Sequence, residues 1–286
     1  MIFAEILAVG NELLIGEVLD TNTNYLAKHL TAMGVMVLKA TICRDDIDEI
    51  SSILDNIIGR VTFPGPPDFI IITGGLGPTF DDLTLEGVAK ATGKDLEENE
   101  EALKMIKEKY KLLGEKLTRH RQKMSMLPKD AIPLSNPVGV APGVMLKPGK
   151  ITIICLPGVP AEMKAIFEES VSKLICDKDE VTSFIEANIN IIGVMESSLA
   201  PQIEALMEEF PDIWIKSHPM GLEGLRSFIR VHITGMGVPE TLIKTIEEVQ
   251  KELALRVEEL GGECEIIPIK IDKTIKKTEN NIKNKD

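Results

Sequence analysis

An apolar run, Phe69-Ile70-Ile71-Ile72, is followed by three glycines within five positions, and this junction constrains the chain more than any other stretch. The run is short, rich in β-branched residues and without alternation, so it predicts a strand buried on both faces of a parallel sheet. Gly74, Gly75 and Gly77 then sit at the strand's C-terminal end. Lacking a Cβ, they let the backbone take positive φ and bring its N–H groups close to a ligand. Thr73 opens the turn, Pro78 and Thr79 stop it from sliding into regular structure, and Asp81, Asp82 and Thr84 lead into a helical pattern. A helix N-terminus at that place favours an anion such as phosphate. Two carboxylates beside a phosphate make sense chiefly when a divalent cation bridges them to it, which makes Asp81 and Asp82 candidate metal ligands. A Gly-Pro turn followed by an Asp cap explains the same residues without any ligand.

The 286 residues suffice for two ordinary domains. A charged stretch at Cys176-Asp177-Lys178-Asp179-Glu180 marks the expected boundary, giving domains over 1–176 and 177–265 and a lysine-rich tail over 266–286 that reads as disordered. No apolar run reaches the roughly 18 residues that span a bilayer. The first residues, Met1-Ile2-Phe3-Ala4-Glu5, lack the basic start of a signal peptide, so a cytoplasmic protein without membrane partners is expected. A formal charge of −13 argues against a broad nucleic-acid footprint, which needs a basic face. Cys43, Cys155, Cys176 and Cys264 are far apart, and the four histidines are not at ligand spacing. A metal site would therefore be built from oxygen ligands, suiting magnesium or manganese better than zinc.

Other strand ends repeat the pattern. Phe3 to Val9 reads as an opening strand running into Gly10-Asn11-Glu12, with Asp20, Thr21 and Asn22 ahead of a helix over Thr23–Met33. Asp20 is either a ligand-site residue or a plain helix cap. A strand over Val35–Ile42 ends at Arg44-Asp45-Asp46, and Ile47 to Ile58 marks an amphipathic helix. Strand C-termini of such a β-α-β-α-β unit share one sheet edge, so Glu12, Asp20, Asp45, Asp46, Asp81 and Asp82 are expected to converge. Helices are expected over Leu83–Thr92, Leu96–Leu113 and Thr118–Met126, the last carrying Arg119, His120, Arg121 and Lys123 as either a solvated face or cations for a phosphate. The loop from Leu134 to Gly143 holds Asn136 and Gly139 among turn dipeptides, and a strand over Ile151–Leu156 enters Pro157-Gly158 and a helix bearing Glu162. Beyond the boundary, strands and helices alternate into a small α+β layer.

Four motifs in order carry a resemblance: Gly10-Asn11-Glu12-Leu13-Leu14-Ile15-Gly16 with Asp20-Thr21-Asn22; Thr73-Gly74-Gly75-Leu76-Gly77-Pro78-Thr79 with Asp81-Asp82-Leu83-Thr84; Asn136-Pro137 with Gly139 and Ala141-Pro142-Gly143; and Leu156-Pro157-Gly158-Val159-Pro160-Ala161-Glu162-Met163. Over about the first 175 residues the chain resembles the amino-terminal part of the CinA family, whose first domain is similar to molybdopterin-binding domains of the MoaB, Mog and MoeA type. The resemblance implies an α/β fold, a three-layer α/β/α mostly parallel sheet, with a smaller KH-like α+β domain. Gly221-Leu222-Glu223-Gly224 matches the KH clamp formally, but it holds an acid and lies between two expected strands, which speaks against RNA binding. Longer family members continue into a nicotinamide-mononucleotide deamidase domain where this chain has its lysine-rich tail, so that activity is not expected here. A separate deamidase chain is the partner that the fused architecture implies.

Two functions follow. As an enzyme, the resemblance implies metal-dependent hydrolysis of a nucleotide diphosphate linkage, with ADP-ribose as substrate and magnesium, manganese or cobalt as cofactor. Gly74, Gly75 and Gly77 would cradle phosphate, Asp81 and Asp82 would hold the metal, and Glu12, Asp20 or Asp45 would complete the site or orient water. Gly10, Asn11, Asn22, Thr73, Pro78, Thr79, Asn136, Gly139, Gly143 and Gly158 would bind the rest of the ligand. The alternative is a binding module without turnover, holding molybdopterin or a nucleotide. The gathered acids favour the enzyme, and the Asp-Asp version of the loop is closer to CinA than to Mog, making molybdopterin the lesser expectation. Family members oligomerise, so a homo-oligomer is expected.

Overall fold

A computed structural model describes residues 2–176, 183–223 and 226–269. Two compact units emerge, one of residues 1–31 and 35–179, the other of 32–34 and 180–286. The expected boundary at 176–180 falls largely outside the described residues, as does most of the lysine-rich tail.

In the first unit the order is β1 (Ile2–Val9), a short α1 (Asn11–Leu14), α2 (Thr21–Ala32), β2 (Val35–Cys43), α3 (Ile47–Ile58), β3 (Phe69–Thr73), α4 (Thr84–Thr92), β4 (Leu96–Glu98), α5 (Glu100–Leu112), α6 (Arg119–Lys123), β5 (Met126–Pro128), β6 (Ile132–Leu134), β7 (Gly143–Leu146), β8 (Thr152–Leu156), α7 (Pro160–Ile166), a π turn over Phe167–Val171, and α8 (Ser172–Cys176). Six strands form a sheet ordered β2-β1-β3-β8-β7-β6. The first four run parallel, while β7 and β6 reverse direction in turn. The α/β, mostly parallel expectation holds. Apolar runs without alternation form the central strands because helices cover both faces: every residue of β3 and β8 is buried.

Two expected helices are corrected. Leu96–Leu113 splits, because Leu96–Glu98 pairs antiparallel with Met126–Pro128 and Asn99 then caps α5, its side chain accepting from Ala102 N at 3.0 Å. Thr118–Met126 shortens to five residues of helix for the same reason, its last residue being drawn into β5. The pair β6 and β7 was not expected as strands at all; their short apolar segments gain identity only by pairing alongside β8.

The second unit runs β9 (Ser183–Ile192), α9 (Glu196–Glu209), β10 (Ile213–Glu223), β11 (Arg226–Gly237), α10 (Pro239–Glu259) and β12 (Glu263–Ile267). Its antiparallel sheet is ordered β10-β11-β9-β12. Alternation is clean in β9, where Ile185, Ala187, Ile189 and Ile191 are buried with Leu253 and Val257 of α10 in one core. Ile266 and Ile267, assigned above to the tail, belong to β12 and pair with β9.

Candidate functional site

From β1 the chain moves to β2 on one side of it and then to β3 on the other. That reversal opens a crevice outside the carboxyl ends of β1 and β3, where open α/β sheets take ligands. Gly10 and Gly74 stand at this crevice, and the fit between their strands is tight. A Cβ on Gly74, whose φ is +100°, would lie 2.1 Å from the Val9 carbonyl oxygen. Gly158, after β8, also packs on Gly74, less tightly, with its Cβ position 3.3 Å from the Gly74 Cα.

The turn after β3 is braced from below and left open above. Thr84 Oγ1 donates to the Gly74 carbonyl at 2.8 Å, and Thr84 N donates to the Gly75 carbonyl at 3.3 Å. Among the described residues, none accepts from the N–H groups of Gly75, Leu76 or Gly77. Successive unpaired N–H groups in a glycine turn form an anion nest. The following loop is closed by Thr79: its hydroxyl, with one proton to share, lies within hydrogen-bond reach of both the Asp81 and Asp82 carboxylates, and its N–H donates to Asp82 Oδ2 at 2.7 Å. Lys123 holds the same loop from outside, donating to the Thr79 carbonyl at 3.1 Å and the Asp82 carbonyl at 2.6 Å. The basic helix therefore contributes one residue to the site region, through backbone oxygens.

The expected acidic convergence is partial. Asp45 accepts from Asn11 N at 2.8 Å. Burial, above all, raises its pKa, with Glu12 and Asp81 adding repulsion, so Glu12, Asp45 and Asp81 share one neighbourhood. Asp81 titrates below the ordinary carboxylate range, chiefly because the Thr79 hydroxyl binds its charged form. Asp20 and Asp46 are helix caps, accepting from Thr23 N and Glu49 N, both at 2.9 Å. Glu12 folds back over Gly10, where an added Cβ would come 2.5 Å from its carboxylate. Among the described residues, no group of three or more His, Cys, Asp or Glu side chains is arranged to hold a metal ion. Asp81 and Asp82, the expected ligands, are instead turned on Thr79.

Asn22 and Asn136 take different roles. Asn22, 8% exposed, donates from Nδ2 to the Gly158 carbonyl at 2.8 Å and leaves its Oδ1 buried without a partner. It lines a small hollow of about 80 Å³ with Glu12, Asp20, Thr73, Gly74 and Gly158. Asn136 is consumed by its own loop: Nδ2 donates to the Ala141 carbonyl at 2.8 Å and Glu162 Oε2 at 2.6 Å, while Oδ1 accepts from Val138 N and Gly139 N. Glu162 occupies the space where a Gly139 Cβ would sit. Gly143 is a buried residue of β7. Because β7 opposes β8, the Leu134 end of β6 and the Gly143 start of β7 reach the same edge as the C-terminus of β8, which carries this loop to the ligand edge. The Thr84 brace and the Lys123 clamp were missed as specific contacts; both depend on residues brought in by tertiary structure.

A family described as a probable molybdopterin binding domain matches residues 5–176. The chain belongs to that family. In the same family setting, the crystal structure of the protein CinA, of unknown function, from Thermoplasma acidophilum is 41% identical, with a TM-score of 0.55 over 60% of this chain and 98% of that one. A Sulfurisphaera tokodaii protein is 41% identical over 91% of this chain and 95% of its own length, and a Metallosphaera sedula protein is 39% identical over 91% and 96%. The CinA resemblance therefore stands on both sequence and structure, and membership of the molybdopterin-binding domain family stands on the sequence match. No helix among the described residues is long and apolar enough to cross a membrane.

Proposed function

We propose that the carboxyl edge of the first unit's sheet binds a phosphorylated small molecule, a molybdopterin or a nucleotide, as a binding module. The observation that carries this reading is the run of unpaired N–H groups at Gly75, Leu76 and Gly77 beside the β1/β3 crevice. The family's description supports it. A hollow of about 80 Å³ is far below the roughly 300 Å³ of a site that engulfs its ligand, so the phosphate sits in the nest and the remainder lies along the edge. Hydrolysis of ADP-ribose, the activity implied by the CinA resemblance, has less support. Its metal would need Asp81 and Asp82, whose carboxylates are engaged by Thr79, and although Asp45 and Glu12 are near Asp81, no three such side chains among the described residues are arranged to hold an ion.

Calorimetric titration of ADP-ribose and of molybdopterin, with chelator present, tests the reading. Binding of either, weakened at least tenfold in Gly77→Ala, is expected. That substitution puts a Cβ 2.6 Å from the Asp82 carboxylate, so the turn that presents the Gly75, Leu76 and Gly77 N–H groups must shift. No binding of either ligand would end the proposal. AMP release from ADP-ribose with magnesium, manganese or cobalt, lost in Asp81→Asn and Asp82→Asn, would replace it with the hydrolase.

A further inference from the structure

The second unit carries a cavity of about 440 Å³ that none of the foregoing uses. It lies on the face of the antiparallel sheet opposite the helices. On β9, Ile185, Ala187 and Ile189 face the core, so Glu186 and Asn188 project to the other side. His232 on β11 stands opposite Asn188, and Arg230 stands opposite Asn190. β12 ends at Ile267, opposite Asn188, and Ile267 and Pro268 wall the cavity there.

Its polar groups are of opposite sign and incompletely used. Arg230 donates from Nε to Asn190 Oδ1 at 3.2 Å, and no described residue pairs with its two terminal nitrogens. Asn188 Nδ2 lies 3.4 Å from Glu186 Oε1, a long contact, and Oδ1 is a buried acceptor without a donor among the described residues. His232 Nδ1 lies 3.4 Å from Glu186 Oε1, and its ring meets His218 edge to face at 4.8 Å between centroids, so Glu186 and His232 stand side by side in the lining.

From this we infer that the cavity is a binding site for a small zwitterion, an amino acid, with its carboxylate on the Arg230 fork and its ammonium between Asn188 Oδ1 and Glu186. A guanidinium with two free terminal nitrogens matches a carboxylate bidentately. A buried acceptor without a partner calls for an N–H donor. A plain anion would answer Arg230 and be repelled by Glu186; a plain amine would meet the reverse. Two residues along a strand separate the Arg230 and Asn188 levels, about 7 Å, which an amino acid spans with its two hydrogen bonds. The apolar wall at Ile267 and Pro268 leaves room for a side chain.

The test is saturation-transfer NMR on the full chain with L-serine, L-leucine, acetate and ethylamine as separate probes. At least one amino acid is expected to bind tenfold or more tightly than acetate and ethylamine. Arg230→Gln should abolish this, Arg230→Lys should keep part of it, and Asn188→Leu should weaken it at least tenfold, with Trp214 fluorescence reporting that the second unit stays folded. Amino acids that bind no better than acetate or ethylamine, or that bind the folded variants as well as wild type, would overturn the assignment. All of these substitutions lie in the second unit, and the probes are amino acids, so the outcome is separate from that of the phosphate-binding reading.

Discussion

Gly74→Ala isolates the tightness of the β1/β3 crevice from the ordinary cost of a left-handed backbone. Both Gly74 and Gly93 have positive φ, +100° and +62°. A Cβ at Gly93 meets nothing within 4 Å, whereas at Gly74 it lies 2.1 Å from the Val9 carbonyl oxygen. The backbone conformation costs an L-residue about 1–2 kcal/mol at Gly93, which is in the left-handed helical region, and at least as much at Gly74. Overlap with a backbone oxygen that cannot swing aside adds about 1–3 kcal/mol, the usual cost of overpacking, since β1 must part from β3. Gly74→Ala should therefore lose about 2–5 kcal/mol and Gly93→Ala about 1–2, a large part of a typical stability. Hydrogen exchange by mass spectrometry over Phe69–Thr73 reads this without relying on the chain's single tryptophan, Trp214, which lies in the other unit. At 1.4 kcal/mol per tenfold, Gly74→Ala should exchange at least about fivefold faster than Gly93→Ala. Equal exchange in the two variants would refute the claim that contact with Val9, beyond backbone conformation, requires glycine there.

Two further predictions concern charge. Because burial and neighbouring acids raise the folded pKa of Asp45 above its unfolded value, wild-type stability relative to Asp45→Asn is greatest at low pH. It declines as pH rises from the unfolded pKa, about 3.9, through the folded one; urea titrations at pH 3 and pH 7 should find the variant gaining on wild type at the higher pH, and a constant difference would refute the raised pKa that burial, first, and the acids impose. Gly139→Ala should push Glu162 off Asn136, whose bond to it is 2.6 Å, and cost about 1.5–3 kcal/mol, as expected for a hydrogen bond to a charged group. Thermal unfolding of Glu162→Ala should give a similar loss, and combining the two should add little.

The buried strands were legible because Phe69–Ile72 and Ile151–Leu156 announce burial on both faces without help from the rest of the chain. Leu96–Glu98 was not, since three residues with one apolar side chain match a helix pattern until Met126–Pro128 arrives beside them. The glycine turn was readable for the same local reason as the strand before it. The fate of the acids was not: Asp20 and Asp46 had a capping explanation in their own helices, and that local bond prevailed. Asp45 meets Glu12 and Asp81 only after three strand ends align. The Lys123 clamp likewise joins residues more than 40 positions apart, and no spacing rule reports such a contact.

The Ser135–Pro142 segment closes on itself through Asn136 and is tied to its surroundings by few links: β7, which pairs with β8 over three positions, the Glu162 bond and Lys109 on the Pro137 carbonyl. A segment anchored in this way can be exchanged as a cassette. Its length and composition could then be changed without retuning β1, β3 or the glycine turn, so under the proposed binding reading ligand preference could be altered at one end of the edge while the glycine turn at the other end stays the same.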